Sequence, residues 1–99
     1  MNMQELMKQA QKMQSEMATI ENELNGKIYE GSAGGVVKTK VDGTYTVREV
    51  KVEKEALEDI EMMEEMIVLA MNDALSQAKE EREQRLGALT QGMGMPGGF

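Results

Sequence analysis

The sequence contains no cysteine and no histidine, so it can build neither a disulfide framework nor a thiolate or imidazole metal site. The commonest general base and nucleophile pairings disappear with them. The expectation is a protein that is not an enzyme and carries no cofactor or metal. Tryptophan is absent and aromatics make up only 3% of the chain, too few for a platform on which nucleobases could stack. The longest apolar run, Met66 to Met71, falls far short of the roughly 20 residues needed to cross a bilayer. The amino terminus also lacks the apolar stretch of a signal peptide. A soluble cytoplasmic protein is expected. Methionine, by contrast, is abundant at 11 of 99 residues, which predicts flexible aliphatic packing. A chain of this length holds one domain at most, read here as residues 1–90 followed by a flexible Gly- and Met-rich tail over 91–99.

Net charge is −7, from 11 basic and 18 acidic residues, which taken alone argues against a polyanionic partner. Its distribution matters more. Residues 1–14 carry Lys8 and Lys12 against Glu5, whereas residues 15–75 carry 6 basic and 14 acidic side chains. In residues 76–99, Lys79, Arg82 and Arg85 balance Glu80, Glu81 and Glu83. The excess acid belongs to the middle of the chain.

Apolar residues Met3, Leu6, Ala10, Met13, Met17, Ile20 and Leu24 alternate spacings of three and four, the seam of a coiled-coil helix over residues 2–25. Asn25 and Gly26 tolerate the left-handed backbone that ends a helix. Period-two alternation follows, predicting strands at Lys27–Glu30, Val36–Val41 and Thr44–Val52, with Asp42-Gly43 as a two-residue hairpin turn. The valines of the last strand change face near Arg48-Glu49, which predicts a bulge there. Gly31-Ser32-Ala33-Gly34-Gly35 reads as a loop; a phosphate cradle would need a helix after it, and a strand follows. A second helix runs from about Ala56 or Asp59 to about Leu86. Its stripe of Ile60, Met63, Ile67, Met71, Ala74 and Leu75, with Met66–Met71 apolar all round, predicts burial on more than one side. From Ser76 to Arg85 only Ala78 is apolar, so that part should project. Thr90–Phe99, rich in glycine, reads as a tail.

At ~1.5 Å per residue the two helices would be about 36 and 46 Å long, against a radius of gyration of about 13 Å for a compact domain of ~100 residues. They overhang any monomeric core. An obligate homodimer follows as the expectation, with Met63, Ile67, Ala70, Met71 and Ala74 at its interface.

Several segments in order carry a family likeness: Met7-Lys8-Gln9-Ala10-Gln11-Lys12-Met13-Gln14, the glycine loop before Val36-Val37-Lys38, Asp42-Gly43, Arg48-Glu49-Val50-Lys51-Val52, Asn72-Asp73-Ala74 and Gly92-Met93-Gly94-Met95-Pro96-Gly97. Together they closely resemble the YbaB/EbfC family of bacterial nucleoid-associated proteins over nearly the whole chain, although Lys54 stands where the family often has proline. The resemblance implies an α+β fold of helix, three-stranded antiparallel sheet and long helix, a tweezer-shaped homodimer, and binding to double-stranded DNA in the nucleoid or cytoplasm. DNA contact on the helical arms, as the resemblance implies it, carries over to Lys8, Lys12, Lys79, Arg82 and Arg85.

Those five residues fall where the helices overhang, Lys8 and Lys12 four apart and the other three at intervals of three, each set near one helix face. Ordinary pairing with nearby glutamates is the competing reading. Lys38, Lys40, Arg48 and Lys51 form a second basic patch on the strands, one that a solvated sheet face would equally produce. Asn72-Asp73 reads as a hydrogen-bonding pair across a dimer or to a loop. Neither Glu64-Glu65 nor Glu80-Glu81 makes an acid/base dyad, since adjacent residues diverge around a helix. No helix-turn-helix, zinc finger or ribbon signature appears, so sequence preference would follow DNA shape rather than base edges. The alternative reading is a protein-interaction module, its coiled-coil arms and Met-lined gap holding a partner protein or a non-native chain, with no direct DNA role.

Overall fold

The computed structural model of the chain describes residues 2–92, with side chains described through Thr90. Helix α1 spans Met3–Asn25, strands β1, β2 and β3 span Ile28–Ala33, Val37–Asp42 and Val47–Val52, a single 3₁₀ turn covers Lys54–Glu58, and helix α2 spans Ile60–Gly92. The strands form one antiparallel sheet in the order β1-β2-β3. Layers of helix on one side of a sheet make this an α+β fold.

Each helix starts on a side-chain cap. Asn2 Oδ1 accepts from the Glu5 amide at 2.8 Å, and Asp59 Oδ1 accepts from the Met62 amide at 3.0 Å. These bonds satisfy donors that the first turn leaves without partners. The cap at Asp59 explains why α2 restarts after the 3₁₀ turn, at the later of the two starts the sequence offers. At its other end α1 stops on Gly26 with φ −88°, right-handed backbone rather than the left-handed cap expected there. The Gly26 amide still reaches Asn22 O, and Lys27 N reaches Leu24 O at 3.1 Å.

Two strand boundaries differ from the sequence reading by three residues, and the others agree to within one. Gly31, Ser32 and Ala33 belong to β1, and only Gly34 and Gly35, with φ of 58° and 70°, form the turn into β2. Gly31 is a packing residue: a Cβ on it would lie 2.2 Å from Ala70 O and 2.7 Å from Ala74 N. Its missing side chain lets α2 rest directly on the strand. The second difference is β3, which begins at Val47, three residues later than expected. The left-handed residue of its turn is Tyr45, with φ 64°, and not Gly43. Gly43 serves a different purpose, since a Cβ there would strike Leu24 O at 1.6 Å. The predicted bulge is present: Lys40 pairs with Glu49 and Val41 with Val47, which leaves Arg48 as the extra residue.

Helix α2 lies across β1 and β2 and leaves β3 uncovered. Ala70, Ala74 and Ala78 form its buried row, against Tyr29, Val37, Val41 and Gly31 on the sheet. Thr39 is buried in the same layer and donates its hydroxyl to Ala70 O at 2.8 Å. Among the described residues no methionine is buried, contrary to the expectation of a methionine core. The close approach at Gly31 leaves room for alanine only, and Met63, Met66 and Met71 sit at the rim, half-buried. Helix α2 also covers the free edge of β1, where Asp73 accepts from Ser32 N at 3.0 Å and Gln77 donates to Glu30 O at 2.8 Å. That occupies backbone groups a second strand could otherwise recruit. Asp73 thus bonds the strand edge of its own chain.

The second helix continues to Gly92, beyond the predicted end at Leu86. Gly87 is tolerated inside it, and the Thr90 hydroxyl donates to Leu86 O at 2.9 Å, one turn back. Thr90–Gly92 are therefore helical, and the remaining tail, 93–99, lies outside the described residues. The radius of gyration is 19.2 Å and the principal extents are 68 × 26 × 14 Å, well above the ~13 Å of a compact chain of this length. No helix among the described residues is long and apolar enough to cross a membrane.

The β2–β3 turn is organised by the Asp42 carboxylate, which is only 3% exposed. It accepts from the Thr44 hydroxyl at 2.5 Å, from the amides of Thr44 and Thr46 at 2.8 and 3.2 Å, and from Arg48 Nε at 2.8 Å. Led by the Thr44 hydroxyl, these donors hold its pKa down at about 2 from an ordinary 3.8. A carboxyl whose pKa is depressed on folding stabilises the fold above its unfolded pKa and loses that contribution as pH falls through the folded value. The difference in thermal midpoint between the native chain and Asp42→Asn should therefore be largest above pH 4 and should close as pH is lowered from about 4 toward 2. Scanning calorimetry across that window checks this, and a difference that stayed constant with pH would contradict the account.

Candidate nucleic-acid interface

Basic side chains at the α1–α2 junction are tied down within the protomer. Arg82 Nη2 donates to Asn25 Oδ1 at 2.8 Å and to Gly43 O at 3.0 Å, and its guanidinium lies 6.0 Å from the ring centre of Tyr45. Arg85 pairs with Glu23 at 2.6 Å, and that partner raises its pKa further. Lys27 pairs with Glu81 at 2.6 Å, which likewise raises the lysine pKa, and stands 5.5 Å from the ring centre of Tyr29. Burial pushes the pKa of the Tyr29 hydroxyl upward too, and among the described residues it finds no hydrogen-bond partner.

Residues 85, 82 and 81 of α2 thus meet residues 23, 25 and 27, so the two helices run antiparallel where the end of α1 packs on α2. Leu24 is buried there, and Met13 and Ile20 are half-buried. Continuing this register at equal rise per residue sets Gly92 near Glu16, so the amino-terminal half of α1 runs on past the last described turn of α2. Its seam is open to solvent, with Met3 74% exposed.

Lys8 and Lys12 are exposed on this projecting half. Lys79 is exposed on α2 beside a shallow groove lined by Tyr45, Asn72, Leu75 and Ser76. None of the three forms an ion pair among the described residues. The antiparallel register does not gather the five predicted residues into one cluster. Lys12 lies about 16 Å along α1 from Glu23 at ~1.5 Å per residue, with Lys79 beyond the junction in the other direction. Three free ammonium groups therefore flank a junction in which both arginines are already bonded. Sequence spacing could not reveal this, because Glu23, Asn25 and Gly43 are distant in sequence from Arg82 and Arg85.

Of the residues expected at a dimer interface, Ala70 and Ala74 are fully buried against their own sheet, and neither offers surface to a second copy. Met63, Ile67 and Met71 are half-buried along the rim. The apolar surface left open lies elsewhere: Val68 and Leu69, 58% and 54% exposed, and the α2-facing side of β3, where Val50 is 42% exposed. That side stays bare because α2 lies over the other two strands. Among the described residues no cluster of three or more acidic side chains could hold a metal ion.

The junction hydrogen bonds make a direct prediction. Arg82→Ala should lower thermal stability by about 1.5–3 kcal/mol, the worth of hydrogen bonds to a charged donor, or several degrees in melting temperature. Arg82→Lys should restore it only in part, since both bonds leave one nitrogen, Nη2, and the lysine chain ends one atom short of that position and lacks the planar group beside Tyr45. Differential scanning fluorimetry of both variants checks this, and an unshifted midpoint for Arg82→Ala would count against a structural role.

Comparison with known proteins agrees with this architecture. The chain is 41% identical over 98 residues to a nucleoid-associated protein of Dictyoglomus turgidum, covering 96% of this chain and 94% of that one. It is 40% identical over 101 residues to a nucleoid-associated protein of Pelotomaculum thermopropionicum, covering 99% and 96%. Among solved structures, an uncharacterized protein from Helicobacter pylori superposes with a TM-score of 0.73 at 25% identity, over 85% of this chain and 91% of that one. The model of a family of DNA-binding proteins rather than enzymes matches residues 1–93, and the chain belongs to it: the YbaB/EbfC DNA-binding family.

Proposed function

We propose that the protein binds double-stranded DNA as a homodimer with little sequence specificity, in the nucleoid, and so affects nucleoid organisation and gene expression. The observation that carries this reading is the set of unpaired ammonium groups of Lys8, Lys12 and Lys79 on the helical arms, away from the acidic first half of α2. Lysines on phosphates supply affinity without reading bases. Arg82 and Arg85 join the site indirectly, by fixing the angle at which α1 leaves the body. The relatives' description as nucleoid-associated proteins supports the location.

The dimer rests on the apolar surface the protomer leaves open. Val68 and Leu69 lie beside Glu64 and Glu65 on the side of α2 away from the sheet, the bare valines of β3 lie where α2 leaves the sheet uncovered, and a two-fold copy brings the same surface to itself. Such pairing would direct two arms outward around a gap. The exposed seam of Met3, Leu6 and Met7 favours a second reading, a protein-interaction module that grips a polypeptide. Binding of a protein partner that ignores salt, with no duplex binding at low salt, would select it.

Two measurements test the leading reading. A salt titration of binding to two unrelated duplexes, followed by anisotropy, should give similar affinities and a steep salt slope. Replacing Lys8, Lys12 and Lys79 together by Ala should lower both affinities equally and flatten the slope by about 0.9 for each phosphate that is no longer neutralised. An unaltered slope would remove the arms from the site. Sedimentation at micromolar concentration should give a dimer mass for the native chain and a protomer mass for Val68→Glu/Leu69→Glu; a native protomer mass would refute the dimer.

A further inference from the structure

The charge of the body is segregated between its two layers. Residues 27–54, which form the sheet and its turns, carry 6 basic and 4 acidic side chains, whereas residues 55–75 carry 7 acidic and no basic ones. On α2 the acidic residues Glu61, Glu64 and Glu65 are exposed while Ala70, Ala74 and Ala78 meet the sheet. The acid therefore lies mainly on the side of the helix remote from the strands. The net charge of −7 describes the helical back of the body, not its sheet face.

The outer sheet face, opposite α2, is formed by alternate residues of the three strands: Glu30 and Ser32, Lys38 and Lys40, Glu49 and Lys51. Their neighbours along β1 and β2, Tyr29, Gly31, Val37 and Thr39, are buried under α2. These six outer residues line one concave surface. Lys40 is neutralised there by Glu30 and Glu49, each at 3.6 Å. Lys38 is different. Its register partners are Lys51 on β3 and Ser32 on β1, and neither lysine forms an ion pair among the described residues. Like charges directly opposite one another, their Cβ atoms about 5 Å apart, disfavour the strand pairing. The sheet keeps this pair although the neighbouring lysine, two residues along the same strand, has two carboxylates. An anion at Lys38 and Lys51, with the Ser32 hydroxyl beside it, would remove the repulsion.

We infer that the outer sheet face, through Lys38 and Lys51, is a second surface for duplex DNA, separate from the helical arms and recognising backbone phosphate without reading bases. This rests on the duplex-binding reading above. In the proposed dimer the apolar side of the body turns toward the partner, so the outer sheet faces stay exposed, one on each protomer. A dimer would then hold DNA both at its arms and on its flanks.

The test compares four proteins by anisotropy on two unrelated duplexes across a salt series: the native chain, Lys38→Gln/Lys51→Gln, the triple alanine variant of Lys8, Lys12 and Lys79, and the combined variant. The sheet variant should bind both duplexes ~10-fold more weakly near 0.1 M salt, with a slope shallower by about 0.9 for each phosphate it fails to neutralise. Its melting temperature should hold or rise, because the substitution removes a repulsion. The arm variant should retain salt-dependent binding that the combined variant does not show. Native-like affinity and slope in the sheet variant, with the native chain binding DNA, would overturn this inference and leave the arms standing. No duplex binding by the native chain at low salt would overturn both.

Discussion

The interaction on which the rest of the structure depends is the seating of α2 on Gly31. The helix descends until the carbonyl of Ala70 and the amide of Ala74 fill the space a side chain would occupy on the strand. At that separation the helix can present only alanines to the strand, which accounts for the row Ala70, Ala74 and Ala78. It also accounts for the methionines standing at the rim. Burying small side chains removes little apolar area per residue, so the seating gains less from hydrophobic transfer than from close packing. It is supplemented by hydrogen bonds: Thr39 to Ala70 O within the layer, and Asp73 and Gln77 along the edge of β1. A helix fixed so tightly over β1 and β2 cannot also cover β3. The bare valines of that strand follow directly from the packing that orders the other two.

The junction between the helices depends on a different kind of interaction. Once α1 leaves the sheet only Leu24 is fully buried along it, and polar pairs do the orienting. Gly43 admits the carbonyl of Leu24, and Arg82 bonds the Gly43 carbonyl and the Asn25 side chain together. The turn carrying Gly43 is in turn shaped by Asp42. Its four accepted hydrogen bonds hold the backbone through Thr46, including the left-handed Tyr45 whose ring lies beside Arg82. A non-glycine residue at positive φ is strained unless its surroundings hold it. Here the strain lies in the turn that sets the direction of an arm roughly half the length of α1.

Much of this was legible in the chain. The three-four spacing of α1 and the period-two strands gave the element order. The change of face between Val47 and Val50 gave the bulge, and the two candidate starts of the second helix, Ala56 and Asp59, correspond to the 3₁₀ turn and the restart of α2. The errors share one physical cause, which is that glycine has two uses. Gly31 and Gly43 read as loop and turn because glycine is permissive in backbone conformation; both are instead required where another backbone approaches within the radius of a side chain. No local pattern distinguishes the two uses, since the approaching atoms, Ala70 O and Leu24 O, are far away in sequence or turned toward the site only by the fold. The same applies to the candidate site. The sequence located five basic residues on the helices, but not which of them had partners, because Glu23, Asn25 and Gly43 meet Arg82 and Arg85 only after the chain has folded.

Net charge is a poor guide here for a related reason. A total of −7 averages over layers that face different ways, and electrostatic attraction at physiological salt fades over about 8 Å. A polyanion near the outer sheet face or the projecting half of α1 meets local lysines more strongly than the carboxylates of α2. Those carboxylates still have an effect. In the proposed reading they make the helical back of the body an unfavourable surface for a duplex, so that approach is directed toward the arms and the sheet. Acid on one side and unpaired lysines on the other thus act together: in the proposed reading the first restricts which surfaces DNA can touch, and the second supplies the grip.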